Sequence, residues 1–381
     1  MDLIYLDHNA TTPLDPEAFE AMRPWFTERF GNASSAYALG NLSDGALVAA
    51  REQAAALVGA SPAEVIFNSG GTEGLNHVFR GVFEAFPQKR HLVTTAVEHP
   101  AVRALVAWWM AQGGQTTDVG VDGEGRLDLA ELAAALRPDT ALVSVMAANN
   151  ESGVRFPVAE AGRIARAQGA LFHVDATQAA GKIPLDVAAW GADLLNLSGH
   201  KFHGPKGTGL LVIRRGVRLK PLMLGGSQER GRRGGTENVP GLVGLGKAAE
   251  LAKARLPEMD RVRALRDRFE AELAARVPDL RVHGAAAERL PNTSLVGFAG
   301  LEGEALQLRL SEHGICVSTG SACSTGMREP SHVLRAMRVP AAYAPGTVRF
   351  SLGRATTEDQ IGRVLDLLPG IVAELRASGL K

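Results

Sequence analysis

The amino-acid sequence has very little cysteine, with two residues among 381. Two thiols cannot form a disulfide framework or a four-thiolate zinc site, so we expect a reducing compartment and judge each cysteine separately. The chain also has no excess of charge of one sign, because 41 lysine and arginine residues balance 41 aspartate and glutamate residues. No global field therefore favours direct binding to nucleic acid or to an anionic membrane, and recognition of charge must be local.

The sequence also lacks a targeting signal and a membrane-spanning segment. Residues 1–10 carry two aspartates and have neither the basic nor the apolar region of a secretory signal. No uninterrupted apolar run approaches the length that a bilayer requires. The sequence therefore predicts a cytoplasmic protein.

What the chain does contain is an alternation of short apolar runs with helical patterns. Its 381 residues, 45% of them hydrophobic, suffice for two to three domains. The alternation predicts an α/β fold, with a mainly parallel sheet covered by helices on both faces in a large domain at 16–255. Residues 1–15 and 256–381 are expected to form a smaller α/β domain. The predicted buried strands are 65–67, 92–95, 142–147, 171–174, 194–197 and 210–213.

Polar residues follow several of these strands, and ligands of parallel sheets bind at the carboxyl ends of strands. Residues 68–73 read NSGGTE before a helical pattern, which could cradle a phosphate, although an ordinary capped helix start explains it equally well. His99 follows the next strand, but a histidine in a loop is more often only solvated or hydrogen-bonded. Asn150 follows another predicted strand, where its side chain could bind a ligand or simply form an Asx-turn.

Asp175 and Lys201 follow two further strands and are harder to explain without a ligand. A buried aspartate needs a cationic partner, and a lysine amine at the same sheet edge is poised to form a Schiff base. Together with a separate phosphate-binding turn, this is the set of groups that pyridoxal 5′-phosphate (PLP) requires. The alternative is a structural salt bridge between Asp175 and Lys201, but the convergence of three features on one edge favours the cofactor.

The two cysteines have different surroundings. Cys323 lies in STGSACSTG at 318–326, where every neighbour is small, so we expect a loop at about 318–330 that can carry a thiol into and out of a pocket. Cys316 lies in an apolar context and is expected to be structural.

The motifs together resemble those of the NifS/IscS-type cysteine desulfurases. The resemblance covers nearly the whole chain, and the motifs occur in the family's order. They are YLDHNATTP (5–13), SGGTE (69–73), HVDATQ (173–178), SGHK (198–201), GPKG (204–207), GSAC (320–323) and RFSLGR (349–354).

This resemblance implies a PLP-dependent transferase of fold type I, like aspartate aminotransferase, that is usually a homodimer. It implies removal of sulfur from L-cysteine, which leaves L-alanine and a persulfide on Cys323. The acceptor would be an iron–sulfur scaffold or a tRNA-thiolation protein. No metal is implied. A selenocysteine lyase or an aminotransferase of the same fold is an alternative that need not depend on Cys323.

The resemblance also implies a role for each site residue. Lys201 would bond PLP, Asp175 would hold the ring nitrogen, and His99 would stack on the ring and help to move protons. Gln178 and Asn150 would contact the phenolic side of the ring and the substrate. The phosphate would be held by Gly71, Thr72, Ser198, His200 and, from the neighbouring subunit, Thr236. Arg354 would bind the substrate α-carboxylate, and Gly74 departs from the serine or asparagine that is more usual there.

Overall fold

The structure is a computed structural model that describes residues 3–319 and 330–378. The predicted loop around Cys323 therefore lies largely outside the described residues. The strands are β1 (Ile4–Tyr5), β2 (Val65–Asn68), β3 (His91–Thr95), β4 (Gln115–Val119), β5 (Thr140–Met146), β6 (Leu171–Asp175), β7 (Leu194–Ser198), β8 (Gly209–Ile213), β9 (Leu280–Val282), β10 (Thr293–Phe298), β11 (Ile315–Cys316), β12 (Ser318–Thr319) and β13 (Thr347–Ser351).

Helices separate most of these strands. They are α1 (Pro16–Met22), α2 (Pro24–Thr27), α3 (Ala38–Val58), α4 (Gly71–Ala85), α5 (Pro100–Ala111), α6 (Leu129–Ala135), α7 (Val158–Ala167), α8 (Val239–Ala254), α9 (Glu258–Arg276), α10 (Gly303–Glu312), α11 (His332–Ala336) and α12 (Glu358–Ser378). In the part of the chain that is described, no helix combines the length and apolarity needed to cross a bilayer.

The largest sheet has seven strands in the order β2-β8-β7-β6-β5-β3-β4. Neighbouring strands from β7 to β4 are parallel, whereas β8 runs antiparallel to both β2 and β7. All seven residues of β5 are buried, as expected for a strand whose sheet is covered on both faces. The mainly parallel α/β architecture predicted from the sequence is therefore confirmed.

Helices cover both faces of this sheet. On one face α4 buries Leu75, Val78, Phe79 and Val82, at a spacing that places them on one side of a helix. The other face packs against a cluster that includes residues of α3, α7 and α8. Met146, Asp175 and Ser198, the last residues of β5, β6 and β7, line one cavity at the carboxyl edge of the sheet.

A second sheet lies in the C-terminal part of the chain, with strand order β12-β13-β10-β9 and antiparallel pairing throughout. It forms a separate apolar cluster with α9, α10 and α12, and Ile4 and Leu6 from the N-terminal segment are part of that cluster. β1 also pairs in parallel with β11. The domain limits at residues 16 and 255 stay a prediction.

Candidate active site

Adjacent strands of the large sheet bring the predicted residues together. β6 and β7 are parallel neighbours, with Asp175 opposite Asn196, and Lys201 ends a short 3₁₀ turn directly after β7. A cavity of about 380 Å³ opens at this edge of the sheet. The predicted residues that line it are Gly71, Thr72, His99, Asn150, Asp175, Gln178, Ser198, His200 and Lys201.

The Lys201 amine lies against the N-terminal segment of the chain. Its Nζ donates to the carbonyl oxygens of Asn9 at 2.6 Å and Ala10 at 2.8 Å. Both residues line the cavity, so the Asn9–Ala10 part of the first motif holds the amine of the lysine. The sequence alone did not reveal this role for the N-terminal segment.

Asp175 is buried, with 8% of its surface exposed. Its Oδ1 accepts from the Thr177 N–H at 3.0 Å and from Asn196 Nδ2 at 3.3 Å. Both of these donors are neutral, so the Asp175 carboxylate suits a cationic ligand group. The Asn196 Oδ1 lies 2.7 Å from His173 Nε2, and the His173 Nδ1 lies 2.8 Å from the Ser144 hydroxyl.

The start of α4 lies at one end of the site, which we call the phosphate-sized end because its backbone and small residues leave room for a phosphate group. Gly70, the N-cap, has φ of 142°, a region that favours glycine, and provides no side-chain cap. A Cβ at Gly71 would lie 3.4 Å from Thr177 Oγ1, so a larger residue would narrow the cavity here. Gly71, Thr72, Ser198 and His200 also line a second cavity of about 360 Å³, together with Lys206. The first turn of a helix attracts anions, so this end suits a phosphate.

Two histidines of the site are held in the neutral form. Burial lowers the pKa of His200 to about 4, and the nearby lysines Lys201, Lys206 and Lys182 contribute. Burial also lowers the pKa of His99, although the Asp175 charge acts in the opposite direction. His99 is the N-cap of α5, and its Nδ1 accepts from the Ala101 N–H at 3.1 Å. A neutral His99 therefore carries its proton on Nε2.

The two arginines of RFSLGR occupy different places. Arg354 lies outside the main cavity, and its Nη2 donates to Asp15 at 3.0 Å. Arg349 lies inside, where its guanidinium donates to Asp7 at 2.7 Å and to the Asn150 carbonyl at 2.9 Å. Arg349 Nε is buried without a partner among the described residues. The expectation for Arg354 does not fit this placement, and the signal that was missed is an arginine within the buried strand β13.

Thr236, Cys323 and Cys316 are the remaining sequence candidates. Thr236 lines another cavity beside Ser69 and Arg233, not the cofactor cavity of its own chain. Cys323 lies outside the described residues. Cys316 pairs with Tyr5 between β11 and β1, and burial together with the Asp7 charge raises the pKa of its thiol. A raised pKa disfavours the thiolate, as expected for a structural cysteine.

Gly74 does not reach the phosphate-sized end of the site. A Cβ at this position would lie 3.0 Å from Asn196 Cβ and 3.2 Å from Asn68 Nδ2. The glycine therefore gives space to Asn196, which in turn donates to Asp175.

Two buried carboxyl groups lie next to the cavity and were not singled out from the sequence. Burial raises the pKa of Glu98, beside His99, to about 8, and its Oε1 accepts from the Thr95 hydroxyl and the Met146 N–H. Burial raises the pKa of Glu151 to about 7, and its Oε2 accepts from the Ser331 hydroxyl at 2.7 Å. Both groups bind a proton much more readily than an exposed glutamate does.

The residues of the cavity fit PLP. The volume lies within the usual range for a site that binds a small ligand. The helix start suits the phosphate, the buried Asp175 carboxylate suits a protonated ring nitrogen, and the Lys201 amine suits the aldehyde. Fold and site together define a PLP enzyme of fold type I.

Comparisons with known proteins give the same class. The family description "Aminotransferase class-V" matches residues 4–364. A cysteine desulfurase of Trichormus azollae is 53% identical over 378 residues, which cover 99% of this chain and 94% of that protein. The similarity thus extends over almost the full length of both proteins.

Solved structures of similar proteins indicate the same family. A NifS-like protein superposes with a TM-score of 0.93 at 38% identity, covering 98% of this chain and 100% of that one. A structure described as SspA in complex with cysteine is 32% identical with a TM-score of 0.81, covering 93% of this chain and 100% of that one. The chain belongs to the cysteine desulfurase family of class-V aminotransferases. The resemblance, the enzyme class and the PLP cofactor predicted from the sequence are confirmed.

Proposed function

We propose that this desulfurase transfers the sulfur of L-cysteine to the thiol of Cys323 and releases L-alanine. The Cys323 thiolate attacks the substrate Sγ, the Cβ–Sγ bond breaks, its electron pair remains with carbon, and a proton is added at Cβ. The products are L-alanine and a persulfide on Cys323, so this half of the reaction needs no external oxidant or reductant.

One observation carries this proposal. Ser318 and Thr319, which directly precede the GSAC motif, line the same cavity as Lys201 and Asp175. Cys323 follows Thr319 by four residues, and four residues span at most about 14 Å. The connection to β12 therefore allows the thiol to reach a substrate bound in the cavity.

The proposed catalytic groups act on protons of the substrate. When bound, PLP supplies a sink for the electron pair released at the substrate Cα. The Lys201 amine, held at the cavity wall by the carbonyls of Asn9 and Ala10, takes and returns the Cα proton. His99, with its proton on Nε2, would stack on the ring and assist that transfer.

The proposed binding groups fix the cofactor and the substrate. Gly71, Thr72, Ser198 and His200 hold the phosphate, and Gln178 donates to the phenolic oxygen. We assign the substrate α-carboxylate to Arg349 instead of Arg354, because only Arg349 lines the cavity. A guanidinium suits this task, since it can donate two parallel hydrogen bonds to a carboxylate. Asn150, whose carbonyl accepts from Arg349, completes the substrate side.

The proposal is tested by measuring alanine and sulfide release from L-cysteine, with PLP and a thiol reductant, by wild type, Cys323→Ser and Cys316→Ser. We expect Cys323→Ser to lose release of both products while its bound PLP keeps its colour. Cys316→Ser is the matched control and should retain wild-type turnover. Full turnover by Cys323→Ser would refute the assignment of Cys323 as the nucleophile and would favour a lyase that does not need this thiol.

We further propose a homodimer in which Thr236 contacts the phosphate of the neighbouring subunit. In support, Thr236 lies at a surface cavity beside Ser69, next to the phosphate-binding turn. The same loop exposes 86% of Leu224 and 42% of Met223, apolar surface that a partner would cover.

Mixed dimers test this arrangement. Lys201→Ala and Thr236→Ala should each have low activity alone. If Thr236 acts across the interface, a dimer with one chain of each variant has one site in which both Lys201 and Thr236 are present. Coexpression should then restore up to about half of the activity per dimer. If Thr236 serves its own chain, the mixed dimer stays as inactive as its parents.

The persulfide is proposed to pass to an acceptor protein in the cytoplasm, either an iron–sulfur scaffold or a tRNA-thiolation protein. The low cysteine content supports a reducing compartment, where a persulfide is maintained only if it is transferred quickly. Labelled sulfur from cysteine should appear on an added acceptor with wild type and not with Cys323→Ser.

A further inference from the structure

Lys182 is a buried lysine next to the cofactor cavity, four residues after Gln178. Only 7% of its surface is exposed. Its Nζ donates to the backbone carbonyl of Gln178 and to Gln178 Oε1, each at 3.0 Å. Both of these hydrogen bonds therefore lead to a single residue, the one proposed to contact the phenolic oxygen of PLP.

The surroundings of Lys182 are unfavourable for a lysine. Among residues 3–319 and 330–378 it has no carboxylate partner in an ion pair. Burial, followed by the positive charges of Lys201 and Arg349, lowers its pKa to about 7. It also lines a cavity of about 30 Å³ with His8, His203 and Arg354. Burying an amine among basic groups costs free energy, so a role in folding stability alone does not explain the residue.

The hydrogen bonds around Gln178 fix which end of its amide faces which neighbour. The Asn9 carbonyl can only accept, and Gln178 Nε2 donates to it at 2.9 Å. Lys182 Nζ keeps at least two N–H donors in either protonation state, and it donates to Oε1. The second N–H of Gln178 Nε2 thus remains available to the cavity that Gln178 lines.

The same Asn9 carbonyl also accepts from Lys201 Nζ at 2.6 Å. A continuous chain of contacts therefore runs from the buried amine of Lys182 through Gln178 and Asn9 to Lys201, whose amine bonds PLP. Without Lys182, Gln178 Oε1 would be buried without its donor, and only the bond from Nε2 to the Asn9 carbonyl would hold the amide in this orientation.

We propose that Lys182 is a positioning residue that fixes the Gln178 amide with its N–H donors toward Asn9 and the phenolic oxygen of PLP. This inference rests on the role proposed above for Gln178. Lys182 does not touch the reacting atoms, and it acts through the orientation of the amide.

The test is a pH titration of the visible absorbance of the substrate-free holoenzyme. A donor to the phenolic oxygen stabilises the form of the chromophore that has lost its proton, so losing the donor raises the midpoint. Lys182→Met should raise it by about one pH unit, the effect of one lost hydrogen bond of ordinary strength. Gln178→Leu should raise it equally, and the double variant should not raise it further.

Two controls separate positioning from general destabilisation. Lys89→Met also removes a lysine that donates to two backbone carbonyls, those of Thr140 and Gly169, but away from the site, and its midpoint should match wild type. Lys182→Arg keeps the donors and should restore the midpoint toward that of wild type. If Lys182→Met does not fold, Lys182→Leu, which also lacks a donor, is titrated instead, and its midpoint should also rise.

The outcomes distinguish failure of the role inferred for Lys182 from failure of the role proposed for Gln178. If Gln178→Leu shifts the midpoint and the Lys182 variants do not, the positioning role is overturned while the Gln178 role stands. If Gln178→Leu causes no shift, the Gln178 role itself fails. Additive shifts in the double variant would show that Lys182 acts on the cofactor independently of Gln178, which also overturns the inference.

Discussion

At the residue scale, Arg349 and Arg354 differ in what their guanidinium groups contact, although they share one motif. Arg349 faces the cofactor cavity, and Arg354 pairs with the buried Asp15. Their spacing in the sequence gives no information about this difference. An arginine inside a strand that is buried throughout was the available signal, because a buried cation requires a partner or a ligand.

We predict that Arg349→Gln raises the KM for L-cysteine and lowers kcat/KM about 100-fold. The change removes the charge-assisted contact proposed between Arg349 and the α-carboxylate, worth about 3 kcal/mol. Arg354→Gln should instead lower the free energy of unfolding by about 1–3 kcal/mol, since it breaks the pair with Asp15. Steady-state kinetics and urea unfolding of both variants check this, and a larger loss of kcat/KM in Arg354→Gln would contradict it.

Glu98 gives a prediction about pH. Its folded-state pKa of about 8 is above the usual value of about 4.3. Between these values the unfolded chain has lost the proton and the folded chain has kept it. Stability therefore decreases as pH rises through this window, by roughly 1.4 kcal/mol per pH unit from this group.

Glu98→Gln mimics the protonated carboxyl and should remove that component. The slope of the urea midpoint of the apoprotein against pH, measured between pH 5 and pH 8, should be more positive in the variant than in wild type. Glu52→Gln, a change at an exposed residue, is the control and should keep the wild-type slope. Equal slopes for Glu98→Gln and wild type would contradict burial of a neutral carboxyl.

At the element scale, the sequence predicted the strands that are buried on both faces. Continuous apolar runs identified β2, β3, β5, β6, β7 and β8 to within two residues. β4 was missed because it is a partly exposed edge strand with the sequence QTTDV. The antiparallel direction of β8 could not be predicted either, since an apolar run has the same pattern in both directions.

The segment before Thr236 depends on a contact with α3. Arg51 and Glu229 form a two-pronged ion pair with both distances 2.7 Å, and the Phe67 N–H also donates to Glu229. Glu229 and Arg230 have φ of 47° and 58°, strained values for these residues. The ion pair therefore supports a backbone conformation that is unfavourable by itself.

Arg51→Met should leave the Glu229 carboxylate buried without its cation. We expect the free energy of unfolding to decrease by about 3–5 kcal/mol, as measured by chemical denaturation. Arg51→Met/Glu229→Gln removes both charges and should recover part of the loss. No recovery in the double variant would show that the damage comes from lost packing of Arg51 on the Phe67 ring, 4.5 Å away.

At the scale of the whole molecule, the cofactor site joins parts of the chain that are distant in sequence. The strand-end rule predicted the sheet-edge residues, Asp175 and Lys201, because parallel strands present their carboxyl ends at one edge. It could not predict Asn9, which lies in the segment after β1, or Arg349, which lies in β13, because both are outside that sheet. Contacts between separate sheets leave no periodic signal in the sequence.

Removal of PLP should therefore destabilise the whole chain and not a single region. A ligand at 100 times its Kd stabilises the folded state by about 2.7 kcal/mol, so the apoprotein should have a lower Tm than the holoprotein. Calorimetry of both forms checks this, with Lys201→Ala, which cannot bond PLP covalently, expected to show a smaller difference. An apoprotein with the Tm of the holoprotein would contradict it.

The parallel pairing of β1 with β11 has a consequence for synthesis on the ribosome. Residues 4 and 5 pair with residues 315 and 316, so β1 leaves the ribosome first but can pair with β11 only after most of the chain has been synthesised. Asn9, four residues after that strand, supplies the carbonyl that both Lys201 and Gln178 contact. Such long-range contacts form late in folding. A nascent chain can thus build the seven-stranded sheet early, but it becomes competent to capture its cofactor only as translation ends.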